Sequence, residues 1–291
     1  MSRQPTRAGL FSRDGRRRLR LGLPTVLGLK PRGFFIPYRY ADAIPGHASR
    51  PSYAAVEAVF KAQEPAFLNF IARIEALSSS LEAIGNEPPP APRWNQQWFP
   101  SLDAATAYVS VRHAPPARLV EVGSGHSTRF YARAVADGAL STSVTAIDPA
   151  PRADIGELKV DVIARTVQGA GLEPFSALVR GDILSIDSSH ILMPGTDVDF
   201  LLNHVLPSLP MGVRVHIHDI FLPDDYPASW AWRGYNEQLG VAALLQGSGW
   251  QILWSSRYAG TRMAEVVSNG VMPRLGWVRD GLDSSLWLEK A

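Results

Sequence analysis

Acids and histidines follow two apolar runs in the second half of the chain. Asp187 and His190 follow one run, while His218 and Asp219 close the other. A neutral imidazole accepts a proton near neutral pH, and a neighbouring carboxylate can orient it. The set predicts proton-transfer chemistry: His190 is favoured as the base because its loop could reach a substrate, and His218 and Asp219 are further catalytic candidates. His216 alternates with His218 and is expected to be a hydrogen-bonded core residue.

Two glycines one residue apart follow an earlier apolar run. Residues 119–128 read Leu-Val-Glu-Val-Gly-Ser-Gly-His-Ser-Thr, which is typical of a buried strand, a tight turn and the start of a helix. Thr128 stands where a dinucleotide fingerprint has its third glycine. About 25 residues after Gly123, Asp148 ends the next apolar run, where Rossmann-like folds place the carboxylate that binds both ribose hydroxyls. This pattern predicts an adenosine-binding site that is not a nicotinamide or flavin site.

Short β-rich runs alternate with helical stretches and would position these groups. The predicted strands are 118–122, 143–147, 160–167, 183–187, 213–218, 250–255 and 284–288. The predicted helices are 102–111, 127–137, 152–158, 173–179, 197–206 and 235–246. Alternation of this kind is typical of a doubly wound α/β sheet. Its strand ends would bring the acids and histidines together near the switch in strand order.

The glycine motif resembles motif I of class I S-adenosylmethionine-dependent methyltransferases, and residues 147–149 resemble their second motif. The runs at 186–190 and 216–223 are similar to hallmarks of a bacterial subgroup of the methyltransferase domain 24 type. The resemblance extends over about 93–288. It implies a Rossmann-like seven-stranded α/β sheet with an antiparallel last strand, and S-adenosylmethionine as the cofactor.

The resemblance also implies which residues hold the cofactor. These predicted residues are Glu121, Gly123, Ser124, Gly125, His126, Ser127, Asp148 and Asp187.

A metal is the alternative to a histidine base. Asp187 and Asp219 resemble carboxylate ligands of metal-dependent O-methyltransferases, where a divalent ion such as Mg²⁺ would lower the pKa of an acceptor hydroxyl. Ile220 follows Asp219, whereas the catechol-type pattern has an asparagine there. This departure favours the base, and both schemes stay open.

Composition divides the chain into three predicted parts. Residues 1–50 form a basic and aromatic arm, 51–92 a helical extension with a proline-rich linker, and 93–291 the methyltransferase domain. The extension carries an apolar stripe at helical spacing, which predicts docking on the main domain and a homo-oligomer contact.

The arm concentrates positive charge. Residues 1–40 hold ten basic side chains, including Arg3 and Arg7, and one acid, while the other 251 residues carry a net charge of −7. Such an arm suits contact with phosphate or an anionic surface. A solvated tail that folds back on the acidic body is the favoured interpretation.

Composition also limits the function. The 291 residues are 46% hydrophobic and 19% charged with no cysteine, which excludes disulfides, zinc–thiolate sites and cysteine nucleophiles. No run approaches the roughly 18 apolar residues of a membrane span, and a cytoplasmic location is expected. We expect methyl transfer to an oxygen or nitrogen of a small molecule. The alternatives are a nucleic-acid methyltransferase that uses the arm, which is disfavoured by the acidic body, and a non-catalytic cofactor-binding regulator.

Overall fold

The computed structural model describes residues 12–46, 50–85, 87–151, 153–279 and 281–291. Two compact units divide the chain. One contains residues up to 50 together with 227–233, and the other contains residues 51–226 and 234–291. Arg3 and Arg7 of the predicted arm lie outside the described residues. The three-part domain division predicted from composition stays a prediction.

The larger unit is built on one mixed sheet of seven strands. The strands are β1 (Arg118–Val122), β2 (Ser143–Ile147), β3 (Asp161–Ile163), β4 (Ile183–Ile186), β5 (Arg214–Ile217), β6 (Trp250–Ser255) and β7 (Leu286–Lys290). Their order is β3-β2-β1-β4-β5-β7-β6. β1 to β5 pair in parallel and β7 runs antiparallel to both of its neighbours. The predicted α/β sheet with an antiparallel last strand is confirmed.

The strand order places a switch point between β1 and β4. From β1 the chain moves outward to β2 and β3, then returns to pair β4 with the opposite edge of β1. Every residue of β4 and β5 is buried, as expected for central strands that helices cover on both faces. In open α/β sheets ligands bind outside the carboxyl ends of strands at such a switch. The loops after β1, β4 and β5 therefore contain the candidate site.

The described residues also form a series of helices. In chain order they are α1 (Arg13–Val26), α2 (Ala54–Lys61), α3 (Glu64–Ala76), α4 (Ser78–Glu82), α5 (Ser101–His113), α6 (His126–Asp137), α7 (Val167–Ala170), α8 (Glu173–Ser176), α9 (Asp197–Phe200), α10 (Leu206–Ser208), α11 (Glu237–Leu245), α12 (Ser256–Arg262) and α13 (Ala264–Ser268). Short 3₁₀ turns cover Ala41–Ala43, Ala228–Trp230 and Met272–Leu275, and Leu201–Val205 is a π-helical segment. No helix among the described residues is long and apolar enough to cross a membrane.

Aromatic contacts join α3 to β6 and α12. The Phe67 ring lies 5.7 Å from the Trp254 ring and 5.9 Å from the Tyr258 ring, and the Phe70 ring lies 5.0 Å from Trp254. The Tyr258 hydroxyl donates to the Glu64 carboxylate at 2.7 Å. The apolar stripe at 51–85 thus packs within the larger unit.

Three sequence predictions need correction. The third strand covers only residues 161–163, because Thr166 accepts a hydrogen bond from the Gly169 backbone and starts α7. Residues 153–158 form bends and a turn instead of a helix, and Asp154 there accepts from the Gly156 backbone; Arg152 lies outside the described residues. The last strand starts at residue 286 instead of 284, because the backbone N–H groups of residues 284 and 285 donate to a buried carboxylate.

The packing of α3 predicts a stability difference. Phe67→Ala should lower the free energy of unfolding by about 3–5 kcal/mol, since it opens a cavity beneath two aromatic rings. Leu68→Ala is the matched control because Leu68 is 46% exposed, and it should cost under about 1 kcal/mol. Urea unfolding followed by circular dichroism measures both. Equal losses in the two variants would contradict the docking of α3.

Candidate active site

The turn after β1 needs glycine at one position and leaves space at another. Gly123 has φ +81°, and a Cβ atom there would overlap the backbone carbonyl of Asp187. Gly125 is extended with φ 171°, and no heavy atom lies within 4 Å of the position that its Cβ would occupy. Gly123 is therefore required by the fold, whereas at Gly125 neither backbone conformation nor packing requires glycine.

Glu121 lies fully buried beneath this turn. Its carboxylate accepts hydrogen bonds from the Ser127 and Thr128 hydroxyls, and the Thr128 hydroxyl accepts from the Gly125 backbone at 2.9 Å. Burial raises the pKa of Glu121 to about 8, against the opposing effect of the two hydroxyl donors. Thr128, which replaces the third glycine of a dinucleotide fingerprint, thus ties the turn to the start of α6.

Asp148 connects the end of β2 to the same turn. One carboxylate oxygen accepts from the Ser124 backbone N–H at 2.9 Å and from the Ser124 hydroxyl at 2.8 Å. The other oxygen accepts from the Ala150 backbone at 2.8 Å. The carboxylate predicted for the ribose therefore lies against the glycine turn. Its contact with a ribose stays a prediction.

Two buried polar atoms near these strand ends have unmet hydrogen-bonding capacity. Within the described residues, neither the Nδ1 atom of His126 nor the hydroxyl of Ser188 has a hydrogen-bond partner. Burial lowers the pKa of His126 to about 4, with further contributions from Arg129 and Arg93, so its ring is neutral at pH 7. Buried polar atoms without partners are uncommon. Together with the open space at Gly125, they fit a polar ligand such as the predicted cofactor.

The four predicted acids and histidines meet at the carboxyl ends of β4 and β5. The Nε2 atom of His190 lies 3.3 Å from Asp187 and 3.4 Å from Asp219. The Nδ1 atom of His218 lies 3.5 Å from Asp187 and 3.6 Å from Asp219. His190 and Asp219 both adopt left-handed backbone conformations, with φ of 60° and 57°. Non-glycine residues in that region carry strain that clusters at functional sites.

Two further carboxylates hold the outer sides of the imidazoles. Glu237, in the first turn of α11, lies 2.9 Å from the Nδ1 atom of His190. Asp103, in the first turn of α5, lies 3.3 Å from the Nε2 atom of His218. Both carboxylates are buried. Neither residue was predicted from the sequence. No local motif marks them, because each reaches the cluster from a helix that is distant in sequence.

Electrostatics favour the imidazolium form of both histidines. Burial alone would lower the pKa of His190, but Asp187, Glu237 and Asp219 raise it well above its usual range. Likewise, burial opposes protonation of His218 while the neighbouring carboxylates raise its pKa. Burial would raise the pKa of Asp187, but the two imidazoles hold it below its usual range. In this buried cluster the carboxylates stabilise the ionised form of the two imidazoles, and the imidazoles stabilise the ionised form of Asp187.

Accessibility separates the members of the cluster. The Asp187 side chain is 35% exposed, whereas that of His190 is 4% exposed. The Tyr235 ring lies 4.6 Å from the His190 ring, and Glu237 lies behind it. The expectation that a loop position exposes His190 is therefore wrong, because the start of α11 covers the ring. Asp187 is the member that faces the solvent.

The carboxylates do not form a metal site as they stand. No group of three metal-ligating side chains with metal-binding geometry occurs in the described ranges. The oxygens of Asp187 and Asp219 instead face imidazole nitrogens at ion-pair distances of 3.3 to 3.5 Å. The residues as arranged do not fit the divalent ion predicted at Asp187 and Asp219.

His216 lies in the core on β5. Its ring accepts or donates hydrogen bonds with Ser185 at 2.9 Å, Ser285 at 2.8 Å and Tyr131 at 3.1 Å, and it stacks on Trp287 with ring centroids 4.8 Å apart. Burial lowers its pKa to about 3, and the neighbouring imidazole acts in the same direction. A neutral, fully bonded ring has a structural role here.

Comparisons with known proteins agree with this architecture. Residues 120–220 match the family described as methyltransferase domain. Among proteins of curated function, no sequence matches this chain.

Solved structures provide neighbours at low identity. S-adenosylhomocysteine-bound PaMTH1, a methyltransferase from Podospora anserina, is 12% identical with a TM-score of 0.41, over 89% of this chain and 99% of that chain. Cofactor-bound Rv0187 from MTB is 13% identical with a TM-score of 0.42, over 76% and 89%. The plantazolicin methyltransferase BpumL with S-adenosylhomocysteine and a monoazolic substrate analog is 13% identical with a TM-score of 0.37, over 81% and 89%. Because these TM-scores are below 0.5, the fold assignment depends on this chain's own sheet and on the family match.

The buried carboxyl of Glu121 predicts a pH-dependent stability. Its pKa rises from an ordinary 4.5 to about 8 on folding, so the native state keeps a proton that the unfolded state loses. Its contribution is full below pH 4.5 and is lost as the pH rises towards 8. Relative to Glu121→Gln, the wild-type free energy of unfolding should therefore fall by about 4–5 kcal/mol over that window. Urea titrations at a series of pH values measure this difference, and a constant difference would contradict a neutral Glu121.

Proposed function

We propose that this chain is a class I S-adenosylmethionine-dependent methyltransferase that methylates an oxygen or nitrogen of a small molecule. The match of residues 120–220 to the methyltransferase domain family and the strand order of the sheet support this proposal. The observation that carries the proposal is the arrangement of groups at the carboxyl ends of the central strands. There the open glycine turn after β1 adjoins the acid–imidazole cluster after β4 and β5, at the switch in strand order.

The cofactor would lie along the glycine turn. Asp148 would accept hydrogen bonds from the ribose hydroxyls, and the space beside Gly125 would let the ligand approach the backbone closely. The unpartnered His126 nitrogen and Ser188 hydroxyl offer further polar contacts. When bound, the cofactor supplies an electrophilic methyl group. The remaining task of the protein is to orient the acceptor and remove its proton.

The acceptor would bind against the exposed face of Asp187. Glu237 holds one nitrogen of His190, which directs the other nitrogen towards Asp187 and Asp219. In its neutral form this second nitrogen would take the acceptor proton, while the methyl carbon would exchange its bond to the cofactor sulfur for one to the acceptor atom. The resulting imidazolium is stabilised by the same carboxylates that raise its pKa.

The second histidine supports this arrangement. Asp103 holds one nitrogen of His218 at 3.3 Å, and the other nitrogen faces Asp187 and Asp219. A charged His218 would offset part of the negative charge of these carboxylates. We therefore assign His190 the base role and His218 an electrostatic one.

Isotopic labelling tests the activity itself. Incubating the chain with a metabolite extract and methyl-labelled S-adenosylmethionine should give a labelled small molecule by mass spectrometry. The control is the same incubation with Asp148→Ala. Cofactor binding without any labelled product would favour the non-catalytic regulator, and label in added nucleic acid would favour the nucleic-acid methyltransferase.

Two substitutions in the predicted cofactor site should weaken the binding of S-adenosylhomocysteine. Asp148→Ala should weaken S-adenosylhomocysteine binding by on the order of 2–4 kcal/mol, since it removes charge-assisted hydrogen bonds. Gly125→Ala should weaken it at least about tenfold, because a methyl group enters the ligand space while the fold tolerates it. Gly249→Ala is the matched control, since no heavy atom lies within 4 Å of its Cβ position and it precedes β6, at the edge of the sheet far from β1. Isothermal titration calorimetry measures all three. Wild-type affinity in both test variants would remove this cofactor assignment.

If His190 is the base, turnover should depend on its imidazole and on pH. His190→Ala should reduce kcat by roughly 10²–10⁴-fold, while His204→Ala, an exposed histidine, should have no effect. Because the pKa of His190 is raised and only its neutral form accepts a proton, kcat/KM should rise with pH above the ordinary imidazole range. Glu237→Gln removes one of the carboxylates that raise this pKa, and should move the acidic limb to lower pH.

The metal scheme makes the opposite prediction. Loss of turnover in EDTA, its recovery with Mg²⁺ or Mn²⁺, and a mild effect of His190→Ala would replace the base by an ion. Turnover that is unchanged in EDTA would leave the base scheme in place.

A further inference from the structure

Helix α1 presents an apolar stripe to the solvent. Leu19, Leu23 and Val26 follow one another at helical spacing on one face, and they are 46%, 55% and 56% exposed. Arg13, Arg17 and Arg20 have the same spacing on another face. An amphipathic helix normally buries its apolar stripe against a partner. The cationic stripe beside it limits the chemistry of that partner.

The chain after α1 folds back and adds two cations to its last turn. At Gly28 the backbone has φ +68°, and the N–H groups of Leu29 and Lys30 then donate to the Pro24 carbonyl. The Arg32 backbone donates to the Thr25 hydroxyl at 2.9 Å.

The fold-back forms an open depression of about 320 Å³, lined by Arg20, Leu21, Pro24, Lys30 and Arg32. Three cationic side chains thus border one concave surface, on a different face of α1 from the apolar stripe.

The following residues are apolar, exposed and free of negative charge. Phe34, Phe35 and Ile36 are 57%, 65% and 62% exposed, and Tyr38 and Tyr40 are more than half exposed. No aspartate or glutamate occurs from residue 15 to residue 41. Aromatic and aliphatic side chains combined with arginine and lysine are characteristic of segments that lie in the interface of a membrane.

We propose that residues 12–46 bind the surface of an anionic membrane. The stripe of Leu19, Leu23 and Val26 enters the boundary between headgroups and acyl chains, and the cations on the other face, including Arg20 and Lys30, attract the anionic headgroups. With 14 residues, α1 is about 21 Å long, shorter than the roughly 30 Å hydrocarbon core. It therefore lies in the interface and does not cross it.

The apolar stripe favours a membrane over the other anionic partners. A nucleic acid would satisfy the cations, and its bases could stack on the aromatic rings, but it offers nothing to aliphatic side chains such as Leu19 and Leu23. The acidic body of the chain would likewise satisfy the charges alone. A lipid surface satisfies the charged and the aliphatic groups together.

Vesicle co-sedimentation of the full chain tests the proposal. The protein should bind phosphatidylcholine vesicles that contain phosphatidylglycerol, and bind pure phosphatidylcholine vesicles at least about tenfold more weakly. Leu19→Gln/Leu23→Gln/Val26→Gln keeps the charge and removes the stripe, and should lose at least about tenfold in partitioning. Arg20→Gln/Lys30→Gln/Arg32→Gln keeps the stripe and should lose a similar factor.

Matched variants on the larger unit serve as controls. Met211→Gln replaces a 62% exposed apolar side chain there, and Arg165→Gln/Arg180→Gln removes exposed positive charge; neither should change partitioning. Thermal melts by circular dichroism verify that each variant is folded.

Several outcomes would overturn the membrane assignment. These are no binding to either vesicle, equal binding to both, or unchanged partitioning of the stripe variant. Binding of single-stranded DNA that is tighter than vesicle binding, and insensitive to the stripe variant, would assign the segment to nucleic acid instead. None of these measurements involves methyl transfer, so they stand apart from the proposed activity.

Discussion

The close approach of two strand ends at Gly123 is the constraint on which the site depends. Its backbone N–H donates to the Ile147 carbonyl at 3.0 Å, and the Asp187 N–H donates to the Val122 carbonyl at 2.9 Å. A side chain at residue 123 would overlap the Asp187 carbonyl. The ends of β2, β1 and β4 are thereby held at one level, which puts Asp148 on one side of the turn and Asp187 on the other. The residues predicted to bind the cofactor and those predicted to act on the acceptor therefore lie on the two sides of one turn.

Asp103 links the charged cluster to the register of β7 in the sheet. Asp103 accepts backbone hydrogen bonds from Ser284 and Ser285, and it also faces His218. The two backbone groups that it takes are unavailable to the β5–β7 ladder, so β7 begins two residues later than its apolar pattern predicts. A shift of β7 would therefore cost both ladder pairing and the orientation of an imidazole. Buried ion pairs of this kind are expensive to break, because a lost partner leaves an uncompensated charge.

The sequence predicted the parts of this architecture that local patterns encode. Apolar runs with short spacing located most strands to within a residue or two, and the acid predicted at the end of the second strand, Asp148, lies against the glycine turn. The sequence could not identify Asp103 or Glu237 as neighbours of the two histidines. Each sits in the first turn of a helix where acids are common for reasons of helix polarity alone, so its type carries no sign of a distant histidine. The burial of His190 could not be predicted for the same reason, because the residues that cover its ring lie at the start of α11 and just before it, more than 40 residues away in sequence.

The carboxylates around His190 also bear on the kind of acceptor. Three of them raise the pKa of the imidazole, which makes it a stronger base but keeps it protonated for more of the time near neutral pH. This balance favours acceptor groups with a high pKa. For these groups, a stronger base increases the driving force for proton transfer by more than the smaller neutral fraction of His190 reduces the rate. A carboxylic acid is already ionised at neutral pH and needs no base, and its negative charge would be repelled by the solvent-facing Asp187. On the proposed function, hydroxyl groups and protonated amines are therefore the acceptors that this site suits.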